Sequence, residues 1–271
     1  MTLTRADDAR VDAQSYVLIP GEQIRATGRL VRNGDGDWFD PPLPVRALGY
    51  GPGGAPAPRP SKFAIRAEGA DFGQVAHRYE RDGCIQGLAT VYGVWLEDRI
   101  RIDYQTDEPH AQRHPTWSDP PCPPPVGGWP HGMNGWYVDN LDFDLGGLEE
   151  TGAAVTMVIF RPSDDQAVLV VAASDIAAVE ARLRPQLPDR LCVIPSRWTR
   201  EQLGTAQRHF TSMAERWRLY EWGPRCDEQA QATMTAALVT VTDEIVQWIA
   251  TQPDGLVALE PWLMPTRLFS R

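Results

Sequence analysis

The stretch IQGLATVYGVWLEDRIRIDY, Ile85 to Tyr104, decides the fold of the first half of the chain. Val91, Tyr92, Val94 and Trp95 lie in a long apolar run that predicts a strand. Glu97-Asp98 then breaks it. Ile100, Ile102 and Tyr104 follow in alternation with Arg99, Arg101 and Asp103, the period of two that places one set of side chains on a buried face. A β-hairpin is the expected outcome, with Ile100, Ile102 and Tyr104 sharing a side.

Upstream, Ile24, Ala26, Gly28 and Leu30 alternate with Arg25, Thr27 and Arg29, and Phe63, Ile65 and Ala67 alternate within Lys62 to Glu68. Both read as strands. Asn33-Gly34-Asp35-Gly36-Asp37 between them offers residues that tolerate positive φ, so the chain turns there. Its spacing is similar to the start of an EF-hand calcium loop. Position six is Trp38 and position twelve is Pro44, where such a loop needs Gly and Glu, so a plain turn is expected. Residues 41–60 hold seven prolines and form a loop, because proline removes the donors a central strand requires. Four or five strands with little helix, and glycines at 28, 87 and 93 to permit sharp coiling, predict a small antiparallel barrel. The pattern resembles an OB-type barrel. That resemblance would imply a nucleic-acid surface in many members, but such surfaces are basic. Here residues 1–150 carry 14 basic and 22 acidic residues.

The whole chain of 271 residues has a formal net charge of -10, so no nucleic-acid partner is expected and a basic protein partner suits it better. Lys62 is the only lysine, and the heavy use of Arg, Ala, Gly and Pro points to a GC-rich, bacterial genome. The N-terminus has no apolar core of a leader peptide and no run long enough to span a membrane, so a cytoplasmic protein with reduced thiols is expected. Cys192, within Leu191-Cys192-Val193-Ile194, reads as a small buried hydrophobe.

From Ala153 the pattern changes. Val155 to Phe160 and Ala167 to Val171 predict a hairpin, Ser174 the cap of a helix through Leu183, and Leu191 to Ile194 a short strand. Thr199 with Gln202 reads as a capping box. Leu203, Phe210, Met213 and Trp217 then fall on one helical face. Leu219 to Trp222, Thr233 to Val241 and Leu256 to Leu259 read as strands, with a helix capped by Thr242 before the last. No internal repeat is visible. This order resembles the small α/β modules called BON domains, which would imply lipid binding or the mediation of contacts. The expected architecture is therefore two domains, an OB-like all-β barrel and an α+β domain with about three helices on a mixed sheet. Residues 1–14 form a flexible N-terminus, 15–105 the barrel, 106–150 a Pro/Trp-rich connecting segment and 151–271 the α+β domain.

The connecting segment holds the candidate site. Eight prolines lie between Pro109 and Pro130, together with Trp117, Trp129, Trp136 and Tyr137. Linkers rarely carry such rings, so the segment is expected to pack over one domain. Trp117, Trp129, Trp136 and Tyr137, with Asp139 and Asp142, are the expected binding residues, since aromatic side chains dominate recognition hot spots. His110, His114, Cys122 and His131 are donor types that could hold zinc, which would support a metal-dependent enzyme. No GxxxxGK, GxSxG, HExxH or strand-linked GxGxxG is present, so common phosphate-binding and hydrolase signatures are missing. The leading expectation is a non-catalytic protein-interaction protein, of which an immunity-type protein that neutralises a basic toxin is one form. Alternatives are a metal-dependent enzyme using the His-containing segment and a lipid- or envelope-associated adaptor.

Overall fold

Strand β1 (Gln23–Asn33) buries Ile24, Ala26, Gly28 and Leu30 and turns Arg25, Thr27 and Arg29 outward, as its alternation requires. The computed structural model describes residues 12–42, 56–107, 117–132 and 145–269. Gly36, at φ +123°, starts β2 (Gly36–Asp40), which returns antiparallel on β1. β3 (Ile65–Glu68), β4 (Ala76–Arg81), β5 (Cys84–Trp95) and β6 (Arg99–Thr106) complete the first region. β1 also pairs along its length with β5, and β3 runs parallel to β6. The circuit β1-β2-β3-β6-β5-β1 closes a mixed five-strand barrel, with β4 outside it as a flap on β5. Ile24, Leu30, Phe39, Val91 and Ile100 fill the barrel.

Among the described residues the second region has the three expected helices over 151–271, preceded by a short one at 145–150, but two three-stranded mixed sheets in place of one. α1 (Leu145–Glu150), β7 (Ala154–Phe160), β8 (Val168–Ala173), α2 (Ile176–Leu183) and β9 (Leu191–Pro195) form one unit. α3 (Arg200–Met213), β10 (Leu219–Cys226), β11 (Ala232–Leu238), α4 (Asp243–Ala250) and β12 (Val257–Pro261) form the other. Each is an antiparallel hairpin followed by a helix and a parallel strand. The element order and pairing are the same in both, so a structural repeat exists that the residues do not display.

Local signals explain most ends. Thr199 and Gln202 form the expected reciprocal capping box of α3. The cap of α2 is Asp175, whose carboxylate accepts from Ala178 N; Ser174 instead donates its hydroxyl proton to the Gly152 carbonyl. Leu203 and Phe210 of α3 and Ile245 of α4 pack on their sheet; α3 ends at Met213, so Trp217 joins this core from the turn after the helix and not from its face.

The chain ends join the barrel to the second unit. Tyr16 and Val17 pack with the α3–α4 core, and Val17 bridges Val241 in parallel. In return, Trp262 and Leu263 enter the barrel core, and β13 (Met264–Pro265) pairs with β1. Trp262 Nε1 donates to the Thr27 carbonyl at 2.9 Å and its ring lies 4.7 Å from that of Phe39. Among the described residues, no helix is long and apolar enough to cross a membrane.

Candidate functional site

Residues 117–132 of the connecting segment lie across the outer face of the β7-β8-β9 sheet, the face opposite α1 and α2. Phe160, Val168, Val170 and Cys192 are buried there, and Trp117, Cys122 and Trp129 pack against them. This is why all six residues of β8 are buried: Leu169 and Val171 face the helices, Val168 and Val170 face the strap. With prolines at 120, 121, 123, 124, 125 and 130, the strap has few amide donors and cannot dock as a strand.

Its fastenings sit at its two ends and centre. At one end Arg161 N donates to the Trp117 carbonyl at 2.7 Å, and the Trp117 and Phe160 rings stack at 6.2 Å. At the other, Gln166 Nε2 donates to the Trp129 carbonyl at 2.6 Å and Arg190 Nη2 to the His131 carbonyl at 2.9 Å. His131 Nδ1 lies 2.9 Å from Asp165 Oδ2, and Ser163 Oγ donates to Asp165 Oδ1 at 2.7 Å. These two contacts, the Ser163 hydroxyl first, hold the Asp165 carboxyl below its usual range. At the centre, Cys122 is disulfide-bonded to Cys192.

That bond corrects two expectations. The thiols are not all reduced: Cys84 and Cys226 are free, while Cys122 and Cys192 are joined. Cys192 is buried as expected, but as a covalent anchor. With its sulfur committed to Cys192, Cys122 has no thiolate to offer zinc, and His131 is directed to Asp165 and Gln166. His110, His114, Trp136, Tyr137, Asp139 and Asp142 lie outside the described residues. Among the described residues no group of three or more His, Cys, Asp or Glu is gathered to hold a metal ion. Trp117 and Trp129 are half-buried, with their inner faces used to cover the sheet.

A second surface, on the barrel, was not foreseen. Arg25, Tyr92 and Tyr104 form a row across β1, β5 and β6 by direct register. The Tyr rings lie 5.7 Å apart, and the Arg25 guanidinium sits 5.7 Å from the Tyr92 centroid and 5.0 Å from that of Phe269. Tyr104 is 61% exposed and Phe269 41%. Thr27, Thr90 and Thr106 form the adjacent row, with the first two hydroxyls 2.7 Å apart. Strict alternation would have put Tyr104 on the side of Ile100. A β-bulge intervenes: Tyr92 pairs with Tyr104 but Gly93 with Ile102, so the extra residue Asp103 reverses the phase. Tyr104 is turned out and Gln105 is buried, donating to the Asp71 and Gln74 carbonyls. The glycine at 93 is the one sequence hint, since a Cβ there would collide with the Arg101 carbonyl.

Comparison with protein families, with curated proteins and with solved structures finds no match for this chain.

Proposed function

We propose that the chain is a non-catalytic protein-interaction protein that binds its partner through the outer face of the barrel. The observation that carries this reading is the displayed row Arg25–Tyr92–Tyr104 with Phe269 beside it. Solvent-facing aromatics held rigid on strands lose little entropy on binding and are the side chains from which hot spots are made. The net charge of -10 adds long-range attraction for a basic partner, as an immunity-type protein would need. The closed five-strand circuit, in which β3 runs parallel to β6, supports reading the barrel as OB-type. Of the predicted binding residues, Trp117 and Trp129 contribute by shaping the strap rather than by facing a partner.

The test compares the wild-type protein with a Tyr104→Ala, Phe269→Ala double variant in affinity capture and titration. A partner held by the wild type should bind the double variant at least about tenfold more weakly, with thermal unfolding unchanged. Equal retention by the variant overturns the reading. A second reading, a lipid- or envelope-associated adaptor, is favoured by the repeated BON-like order of helix, hairpin, helix and strand. It predicts cosedimentation with anionic vesicles. A cytoplasmic setting is kept as part of the proposal, and it makes the Cys122–Cys192 bond noteworthy, because cytosolic disulfides are usually transient or redox-sensing.

A further inference from the structure

We infer that the Cys122–Cys192 disulfide is a redox-operated clasp, whose reduction releases the strap and uncovers the outer face of the β7-β8-β9 sheet. Three observations combine. First, the strap does not hold itself down. Its prolines remove backbone donors, and its middle, from Asp119 to Gly128, has the disulfide as its covalent tie to the sheet. Among the described residues its other fastenings are at the ends, through Trp117 at one and Trp129 and His131 at the other.

Second, the unit beneath has a core of its own on its other face. Leu148, Leu169, Val171, Val179, Leu183 and Leu191 pack between the sheet and α1 and α2. Lifting the strap therefore exposes Phe160, Val168 and Val170 without dismantling that core. Third, the two cysteines differ in burial. Cys192 is buried in β9, whereas Cys122 is half-buried between exposed prolines 121 and 123. A dithiol reductant can attack the Cys122 sulfur from solvent. The S–S bond breaks, Cys192 leaves as thiolate and takes up a proton, and the reductant's second thiol then displaces Cys122. The protein gains two electrons and two protons, and the reductant becomes a disulfide. Both cysteines remain on one chain, 70 residues apart, so reoxidation is intramolecular and an added disulfide oxidant closes the clasp again.

The test uses the full chain labelled with 5-fluorotryptophan, with Trp117 and Trp129 assigned by Trp→Phe variants. Dithiothreitol should move the fluorine resonances of Trp117 and Trp129 to solvent-exposed positions, leave those of the buried Trp95, Trp217 and Trp262 in place, and raise binding of an apolar dye at least about twofold. Replacing the reductant with oxidised glutathione, which is reduced to two thiols as the Cys122–Cys192 bond re-forms, should restore the first spectrum. Cys122→Ser should give the reduced spectrum under oxidising conditions, and a Cys84→Ser, Cys226→Ser double variant should still switch. Four titratable thiols in the oxidised protein would overturn the inference. So would unchanged Trp117 and Trp129 resonances on reduction, or a shift of every tryptophan at once, which would make the bond a structural staple.

Discussion

Asp40 is a fully buried charge, and its partners explain how the barrel tolerates it. Arg29 Nη2 donates to Oδ2 at 2.6 Å, while Ser61 donates to the carboxylate from both its backbone N and its hydroxyl. The carboxylate thereby fastens the chain that follows the proline-rich loop to β1. Removing it leaves Ser61 N and part of Arg29 without acceptors, and Arg29 is itself only 31% exposed. Asp40→Ala should cost about 2–4 kcal/mol in urea unfolding, and Asp40→Asn less, since its carbonyl oxygen can still accept from Ser61. Asp165 makes the contrasting case, because it is exposed and matters through pH. Its folded-state carboxyl is held below the ordinary value of 3.8. Its contribution to strap docking is therefore complete above that ordinary value and is lost as pH falls through the depressed one. Acid titration of Trp117 and Trp129 fluorescence should show this as a loosening confined to the acid limb. Asp165→Asn should abolish the difference between neutral and acid pH.

Elements are where the sequence was most informative, and where its limits have physical causes. Glycine at 28 in β1 faces inward, and a Cβ there would strike the Asp40 carbonyl and crowd the Phe39 and Trp262 rings. A backbone atom cannot rotate aside, so Gly28→Ala should destabilise the barrel by about 1–3 kcal/mol, measured by calorimetry. On the exposed start of α3, Thr199→Ala should cost about 1 kcal/mol through loss of its cap. A long apolar run revealed β5, and alternation revealed β1, β3 and most of β6, because one buried face imposes it. It failed at Tyr104, where a bulge changes the phase without changing composition. β2 and β4 escaped notice because neither alternates: β2 reads Gly-Asp-Trp-Phe-Asp, and β4 is a half-exposed flap rich in charge. The disulfide was illegible, since its cysteines are 70 residues apart and their pairing depends on where the strap lies. The repeat was hidden as well. β8 is apolar throughout and buried on both faces, whereas β11, buried at six of seven positions, still carries Thr233 and Thr235 at alternate positions. The same topology, with both middle strands buried, is built from different residue patterns.

For the whole molecule, the decisive feature is that the barrel and the second αββαβ unit each complete the other's core. Val17 pairs with Val241 beyond β11, and Arg218 Nη2 donates to the Phe63 carbonyl at 2.8 Å. Tyr220 packs against Phe63, and burial pushes its phenol well above the usual range. Arg267 pairs with Glu22 and donates to the Ser15 carbonyl at 2.6 Å, so the C-terminal segment reaches the strand entry of the barrel. Burial of Trp262 and Leu263 in the barrel removes large apolar surfaces from water, each worth about 1.5–3 kcal/mol, and that gain is lost if the two regions part. The barrel and the α3–α4 unit should therefore melt in one calorimetric transition, although the expected two-domain reading would allow two. Truncation after Glu260 should lower that transition by about 5 °C or more, because it empties the Trp262 and Leu263 positions and removes β13. The first unit, α1 to β9, has its own core and strap, and reduction of Cys122–Cys192 should leave the joint transition within a degree or two. Two resolved transitions in the intact chain, with the lower one assigned to the barrel by loss of Trp38 and Trp95 signals, would show that the shared residues at 16–17 and 262–265 do not couple the two cores.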